Sequence, residues 1–329
     1  QSSDYDTRGD ATAQVIDTYL VDGATSTLQT HQIFTNRSFD SGHNVVNQLV
    51  LTYADLTGAT FLDAQEIRST NFYSSGVAQD QKIVTYSDAS KTSIIGAKEI
   101  VNSNVSSNGN VGTSVITSYS TASIASSGTG DITLDPLKAL SKQTVNNTSF
   151  DKYGNALTQT ILSEFYTVGT GFAFSEYKVI SGNTYDIHSR LTYSEVRNFS
   201  DAAGTSFRDL QVINYLQYVD SKTIWNQYLN PQAARRGNAS ISIVSRYNSA
   251  SQVLSSMIDQ TITTTLSFDN QGNALTQTQD KYVNFGSDYK GVKISHSDIT
   301  NSDYNTRGDA GTQTIATYLV DGTVSTLQT

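Results

Sequence analysis

The sequence has no cysteine, and its 329 residues include only two prolines, one methionine and one tryptophan. The lack of cysteine excludes disulfides and thiolate metal sites. Histidine is also scarce, and His31, His43, His188 and His296 share no short metal-ligand spacing. We therefore predict no metal site and no cofactor.

Charge is sparse as well, because charged residues make up 16% of the chain and the net charge is −9. No cluster of Lys and Arg is present, so nucleic acid is not an expected partner. No apolar run is long enough for a membrane span. Nucleophile-elbow, phosphate-loop and HExxH motifs are absent, so we do not expect an enzyme. No signal peptide is visible and residue 1 is Gln, which favours a piece of a longer or processed protein.

Uncharged polar residues and aromatics fill the remainder, with 19 Tyr and 12 Phe. Aromatic and β-branched residues are spread evenly along the chain, which is not typical of disorder. This composition favours ladders of like side chains over a leucine-rich core.

A long internal repeat sets the organisation of the chain. The segment from Asp4 to Thr30 returns from Asp303 to Thr329, with 20 of 27 positions identical at an offset of 299. Residues 1–329 therefore read as one repetitive segment of a longer chain, with a large period of 299 residues and a short overlap.

A shorter period divides the segment into units that start near residues 5, 39, 72, 105, 150, 185, 218, 268 and 304. Most units begin with an aromatic residue, carry Gly at position +4 and place a second aromatic near position +14. The structural repeat residues are Tyr5, Tyr19, Phe39, Tyr53, Phe72, Tyr86, Phe150, Tyr185, Phe199, Phe268, Tyr282, Tyr304 and Tyr318.

Each unit reads as two strands joined by turns, because the runs after the Gly are rich in Thr, Val, Ile, Tyr and Gln. Position +9 is usually Gln and position +11 usually aliphatic. We predict an all-β fold, a superhelical coil or tube of antiparallel β-hairpins that makes one turn per 299 residues. The position +9 glutamines are Gln14, Gln48, Gln81, Gln159, Gln277 and Gln313.

Two longer units hold both prolines, and each predicts a short helical insertion. In the first, Asp135 is the expected N-cap and Pro136 the first helical residue, with Leu137 and Leu140 on one face. In the second, the expected helix runs from Asn230 to the stop at Gly237, just after Trp225. The insertions decorate the wall of the coil in one interpretation; in the other they fill its lumen or bridge its turns.

The stretches YDTRGD, FDKYGNALTQT and FDNQGNALTQT resemble the YD-repeat (RHS-type) family, whose members include shells around bacterial toxins and the large extracellular teneurin barrels. Five aromatic-Asp pairs fit this signature, at residues 5–6, 39–40, 150–151, 185–186 and 268–269, whereas Phe72 and Val105 lack the Asp. The resemblance implies a spiralling sheet of β-hairpins, as in giant repetitive surface proteins.

An Arg-Gly-Asp tripeptide falls at the turn of the first and last units, as Arg8, Gly9 and Asp10 and again as Arg307, Gly308 and Asp309. Gly permits the positive φ that such a turn needs, so turn chemistry explains the tripeptide. An adhesion signal is the alternative, because turns are exposed. The Asp after the starting aromatic is interpreted as the cap of an Asx-turn, in preference to a Ca²⁺ ligand.

The leading functional hypothesis is a structural extracellular filament or surface fibre whose partner is itself, through successive copies in one chain or through stacked subunits. A YD-repeat shell around a toxin or other cargo is one alternative, and an adhesin that displays turn motifs is another. Glycans are a further candidate partner, since Asn-X-Ser/Thr sequons occur at Asn36, Asn104, Asn146, Asn147, Asn198 and Asn238.

Overall fold

The computed structural model describes residues 2–22, 25–186, 189–219, 223–226, 233, 238–269, 272–287, 291–304, 310–321 and 324–328. It confirms the all-β prediction, with 67% of these described residues in strands. Nineteen strands belong to one antiparallel sheet. No pairing among the described residues joins the first strand of that sheet to the last.

The first part of the chain alternates long strands with short turns. Its strands are β1 (Ser2–Tyr5), β2 (Ala11–Asp22), β3 (Thr25–Phe39), β4 (Val45–Tyr53), β5 (Phe61–Phe72), β6 (Ala78–Tyr86), β7 (Ile94–Val105), β8 (Val111–Tyr119), β9 (Ser123–Ile124), β10 (Ile132–Thr133) and β11 (Ala139–Phe150). A four-residue helix, α1 (Ala125–Gly128), and a 3₁₀ helix (Pro136–Lys138) lie between β9 and β11.

The second part repeats this arrangement. Its strands are β12 (Ala156–Thr167), β13 (Gly171–Tyr185), β14 (Leu191–Phe199), β15 (Phe207–Asn214), β16 (Leu216–Val219), β17 (Thr223–Asn226), β18 (Ile241–Tyr247), β19 (Met257–Phe268), β20 (Ala274–Val283), β21 (Val292–Ser302), β22 (Thr312–Asp321) and β23 (Val324–Leu327). A second 3₁₀ helix (Leu254–Ser256) precedes β19.

The chain divides into two compact units: residues 1–148 with 160–175, and residues 149–159 with 176–329. In the first, β1 to β8 pair in sequence order, and β11 pairs with β8. In the second, β13, β14, β15 and β18 to β23 pair in sequence order. Apart from the interruptions between β8 and β11 and between β15 and β18, these strands neighbour the next in sequence, as the hairpin repeat predicts.

The core of the first unit lies between one sheet face and the segment that joins β8 to β11. Ala64, Val84, Tyr86, Ala97 and Tyr119 are buried on that face, and Ile132 from β10 packs among them with 2% of its surface exposed. The joining segment therefore covers the sheet and supplies apolar contacts that the polar strands lack.

The core of the second unit is smaller among the described residues. Leu210, Val212 and Tyr247 are buried together, and Tyr193 and Met257 pack against them. One face of β14 is buried in this unit. Three of its four buried residues are polar, so polar side chains form part of the interior of the unit: Thr192, Ser194, Val196 and Asn198.

The first predicted helical insertion is only partly correct. The Asp135 side chain accepts a hydrogen bond from the Leu137 amide at 2.9 Å and Pro136 is the first residue, as predicted, but the helix is a single 3₁₀ turn. Leu137 and Leu140 are 61% and 53% exposed, because Ala139 already begins β11 and no second turn forms. The second predicted helix lies outside the described residues except for Ala233.

Replacement of the buried anchor of the joining segment should destabilise the first unit. We expect Ile132→Ala to cost about 2–5 kcal/mol, because the core around β10 cannot collapse fully into the space. Leu137→Ala, a matched change on the exposed side of the same segment, should cost less than about 0.5 kcal/mol. Urea unfolding of both variants measures the difference, and equal midpoints would contradict this packing.

Candidate functional site

Where position +1 is Asp, its carboxylate closes the turn that opens the unit. Asp6 Oδ1 accepts hydrogen bonds from the backbone amides of Arg8 at 2.8 Å and Asp10 at 2.9 Å, which confirms the predicted Asx-turn. Gly9 has φ +88° within this turn. These amide bonds, led by that of Asp10, lower the pKa of Asp6 below its ordinary value.

The same turn recurs where position +5 is Asn. Asn44 donates from its side chain to Asp40 at 3.0 Å, and Asn155 donates to Asp151 at 2.9 Å. Hydrogen bonds headed by these amide side chains lower the pKa of Asp40 and Asp151. The Asp and the Asn therefore act as one polar unit that fixes the backbone at each turn.

In the repeat unit that starts at residue 5, the Arg-Gly-Asp tripeptide contacts residues of the next turn. Asp10 is only 8% exposed, and its carboxylate contacts Arg8 Nη2 at 3.0 Å and His43 Nδ1 at 2.7 Å. Arg8 also donates to the Asp40 carbonyl at 3.0 Å. The adhesion hypothesis stays a prediction, and it requires a receptor to break these contacts. The second tripeptide, Arg307, Gly308 and Asp309, lies outside the described residues.

Four pairs of consecutive units are joined by an asparagine three residues before the starting residue of the later unit, position −3. Its side-chain amide donates to the carbonyl at position +6 of the preceding unit. The bonds of this kind are Asn36 to Ala11 at 2.8 Å, Asn102 to Ala78 at 3.0 Å, Asn147 to Val111 at 2.9 Å and Asn301 to Ala274 at 3.0 Å. The sequence analysis missed this asparagine, although its recurrence at a fixed offset was visible.

The side chain at position +9 completes the link, which explains the predicted column of glutamines. It donates across the strand pair to the side chain at position −3 of its own unit. Examples are Gln48 to Asn36 at 2.7 Å, Gln81 to Ser69 at 3.1 Å, Ser114 to Asn102 at 2.7 Å, Gln277 to Thr265 at 3.0 Å and Gln313 to Asn301 at 2.8 Å. We call the bonds at positions −3, +6 and +9 the amide ladder.

The aromatic repeat residues lie at several depths. Tyr86 is buried, Tyr5 and Tyr19 are 61% and 44% exposed, and the others are half-buried: Phe39, Tyr53, Phe72, Phe150, Tyr185, Phe199, Phe268, Tyr282, Tyr304 and Tyr318. The Tyr185 hydroxyl donates to the Ala156 carbonyl at 2.7 Å, and Tyr304 donates to the Ala274 carbonyl. In these two units the starting Tyr thus donates to a carbonyl at position +6 of the preceding unit, as the amide ladder does.

The turn at the other end of the hairpin also uses an aspartate, at position +16. Asp201 accepts from the Thr205 and Ser206 amides, and Asp88 accepts from those of Thr92 and Ser93. Hydrogen bonds headed by that of Thr205 lower the pKa of Asp201 to about 2. Sequence analysis located these turns but not their carboxylate caps.

A buried cluster of charged side chains contacts the joining segment of the first compact unit. Glu66 has no exposed surface, and its carboxylate contacts Arg37 at 2.7 Å, Arg68 at 3.0 Å and Lys91 at 2.6 Å. Burial alone would raise the pKa of Glu66, but hydrogen bonds from the three cations lower it. Arg68 also donates to the Gly130 carbonyl at 2.7 Å, which ties the cluster to the segment.

Clefts recur at equivalent places in the repeat. One of about 340 Å³ is lined by Phe268, Asn273, Gln277 and Asn301 among others, and one of about 290 Å³ by Gln48, Ser69, Phe72 and Gln81 among others. Several of these polar side chains already belong to the amide ladder, so the clefts follow from the repeat itself. A glycan partner stays a prediction.

Two sequons cannot be reached by modifying enzymes in the folded chain, since Asn36 and Asn198 are 3% and 1% exposed. Asn104 is exposed and has φ +54°. The described residues contain no group of three or more His, Asp or Glu placed to hold a metal ion. In the same residues, no helix has the length and apolar character to cross a membrane.

No protein-family model matches the chain, and no curated protein matches it either.

Removal of one bond of the amide ladder should lower the free energy of unfolding of the first compact unit. Asn102→Leu leaves the Ala78 carbonyl and the Ser114 hydroxyl without their partner, which should cost about 1–3 kcal/mol. Ser103→Ala, a change at the adjacent exposed residue, is the matched control and should stay within about 0.5 kcal/mol of the parent. Urea unfolding provides both values, and a neutral Asn102→Leu would contradict the ladder as a source of stability.

The aspartate caps predict a defined acid sensitivity. The pKa of Asp201 is lower in the folded chain, about 2, than its ordinary value of 3.8, so its contribution to stability is complete above about pH 4 and is lost towards pH 2. Asp201→Asn should flatten the pH dependence of the urea midpoint in this window. NMR titration of the Asp201 carboxyl tests the cause, and a midpoint at or above 3.8 would disprove it.

Proposed function

We propose that this chain is part of a structural extracellular filament or surface fibre in which successive hairpins wind into a continuous β-coil. The observation that carries the proposal is the amide ladder. The bonds from Asn36 to Ala11 and from Asn301 to Ala274 stand at nearly opposite ends of the sequence and have the same partners and lengths within 0.2 Å. Because the same bond joins a hairpin to the previous one at both places, further hairpins can be added in the same way.

The sequence period supports the same proposal. The last unit repeats the first with 20 of 27 residues identical, so a further copy can follow with the same bonds. The resemblance to YD-repeat proteins supports a spiralling sheet, and the sequence period suggests one turn per 299 residues. Length, stiffness and protease resistance would then be the function. The absence of cysteine suits an oxidising surface, where thiols are a liability.

The contacts around Asp10 favour the fibre over the adhesin as the function of this chain. Both carboxylate oxygens of Asp10 are engaged, by Arg8 and by His43, and the residue is buried. In the proposed fibre these contacts join the turns of adjacent units, since Asp10 and His43 belong to units that start at residues 5 and 39. The tripeptide is then a stabilising element of the wall.

Tandem expression tests the fibre directly. Residues 4–302 joined as one, two and three copies should give rods of constant width in electron micrographs. The length should rise by a fixed increment per copy, about 30–40 Å if each turn advances by one strand length of 9–12 residues. Separate globules on a string, or a width that grows with copy number, would reject the coil.

A further inference from the structure

A small cleft between the sheet and the joining segment of the first compact unit takes no part in the amide ladder. Its volume is about 260 Å³, and its wall comes from β5, β6 and the joining segment: Arg68, Thr70, Asp80, Lys82, Asp131 and Ile132. This volume is slightly below the ~300–1,000 Å³ of sites for drug-sized ligands and well above the space that one water needs. The cleft therefore has room for a single small molecule.

Arg68 brings a buried and incompletely paired guanidinium to this wall, and the residue is only 7% exposed. Its Nε donates to the Gly130 carbonyl at 2.7 Å, and its Nη1 donates to Glu66 and to the Ile67 carbonyl. Nη2 is buried as well, but it has no hydrogen-bond partner among the described residues. Buried donors in native proteins are nearly always paired, and an unpaired one on a charged group is costly. The unpaired Nη2 therefore indicates an acceptor that a ligand supplies.

Lys82 stands directly opposite Arg68 on the neighbouring strand, and like charges at such positions repel each other. The Lys82 Nζ atom lies 3.5 Å from the Ile132 carbonyl, and no Asp or Glu among the described residues forms an ion pair with it. Glu99 faces Lys82 from β7, but its carboxylate interacts with Tyr119. Two cations with unused donors on one wall favour an anionic group between them.

The rest of the wall restricts the kind of anion. Asp80 and Asp131 are carboxylates, which only accept hydrogen bonds when ionised, so they need hydroxyl or other donors on the ligand. They also disfavour a phosphate, which carries nearly two negative charges at neutral pH. A single carboxylate with hydroxyl groups beside it satisfies both sides of the cleft.

We infer that this cleft binds an acidic sugar of the uronate class. Its carboxylate accepts from Arg68 Nη2 and Lys82 Nζ, and its hydroxyl groups donate to Asp80 and Asp131. The inference does not depend on the proposed fibre, because the whole site lies within one compact unit.

Saturation-transfer NMR with the whole chain and D-glucuronate tests the site. We expect a saturable signal for D-glucuronate and none for D-glucose, which has a hydroxymethyl group in place of the carboxylate. Lys82→Met keeps most of the side-chain stem and should weaken binding at least about tenfold, the loss expected for one charge-assisted hydrogen bond.

Lys98→Met is the matched control. Lys98 is exposed on β7, next to Glu99, and successive strand residues point to opposite faces of a sheet. The same charge is therefore removed from the face that the cleft does not use, and binding should be unchanged. Arg68→Gln should abolish binding; because Arg68 also pairs with Glu66, urea unfolding checks that this variant is folded, and the two lysine variants decide the question if it is not.

Four outcomes would overturn the inference. These are no saturable signal up to about 10 mM D-glucuronate, equal binding of D-glucose, equal affinities of Lys82→Met and Lys98→Met, and a preference for L-serine, whose ammonium group would then be the partner of the two aspartates. The rods expected from tandem copies are a separate measurement, so either result stands without the other.

Discussion

One hydrogen-bonded link, from the side-chain amide at position −3 to the carbonyl at position +6 of the preceding unit, sets the relation between successive hairpins. Backbone pairing alone leaves register weakly specified when both faces of a strand are polar. The amide ladder removes this ambiguity, because a slip of one residue would separate Asn102 from Ala78 and from Ser114 together. It also satisfies buried polar atoms that would otherwise be costly. A chain with few apolar residues can therefore hold a unique register.

The turns and the amide ladder are stabilised by different residue types. Carboxylates close the turns, where Asp6 and Asp201 accept backbone amides and keep a low pKa at the surface. Neutral amides act inside the sheet, where a charge would need a partner. The exceptions include Glu66, whose buried carboxylate is matched by three cations, and Asp259, which is buried and paired with Arg246 and Lys281. Glu66 lies close to the joining segment, because its partner Arg68 donates to the Gly130 carbonyl.

The sequence predicted the hairpin repeat, the positive-φ glycines and the Asx-turns, because each depends on residues within one turn. It predicted the glutamine column but not its partner, since Gln48 and Asn36 meet only across a strand pair. The residue before the starting aromatic was missed as well: Asp4, Asn71, Asn104 and Asp303 adopt φ of 54–56°. The predicted helix after Asp135 was too long. Cap and proline signals do not set the length of a helix, and β11 already begins at Ala139.

The exposure of the aliphatic side chain at position +11 differs along the repeat. At position +11, Val50, Ile83 and Val196 are 5%, 7% and 9% exposed, whereas Ile16 and Ile315 are 45% and 44% exposed. The sequence environment of these five residues is similar, so the difference arises from neighbours. Beyond Gln14, β2 has a described partner on one side only, and so does β22 before Thr317. Strand neighbours on both sides reduce the exposure of this side chain but do not always bury it, since Ile116 pairs with β7 and β11 and is half-buried. The apolar residue at position +11 therefore contributes more to stability where a paired strand flanks it on each side.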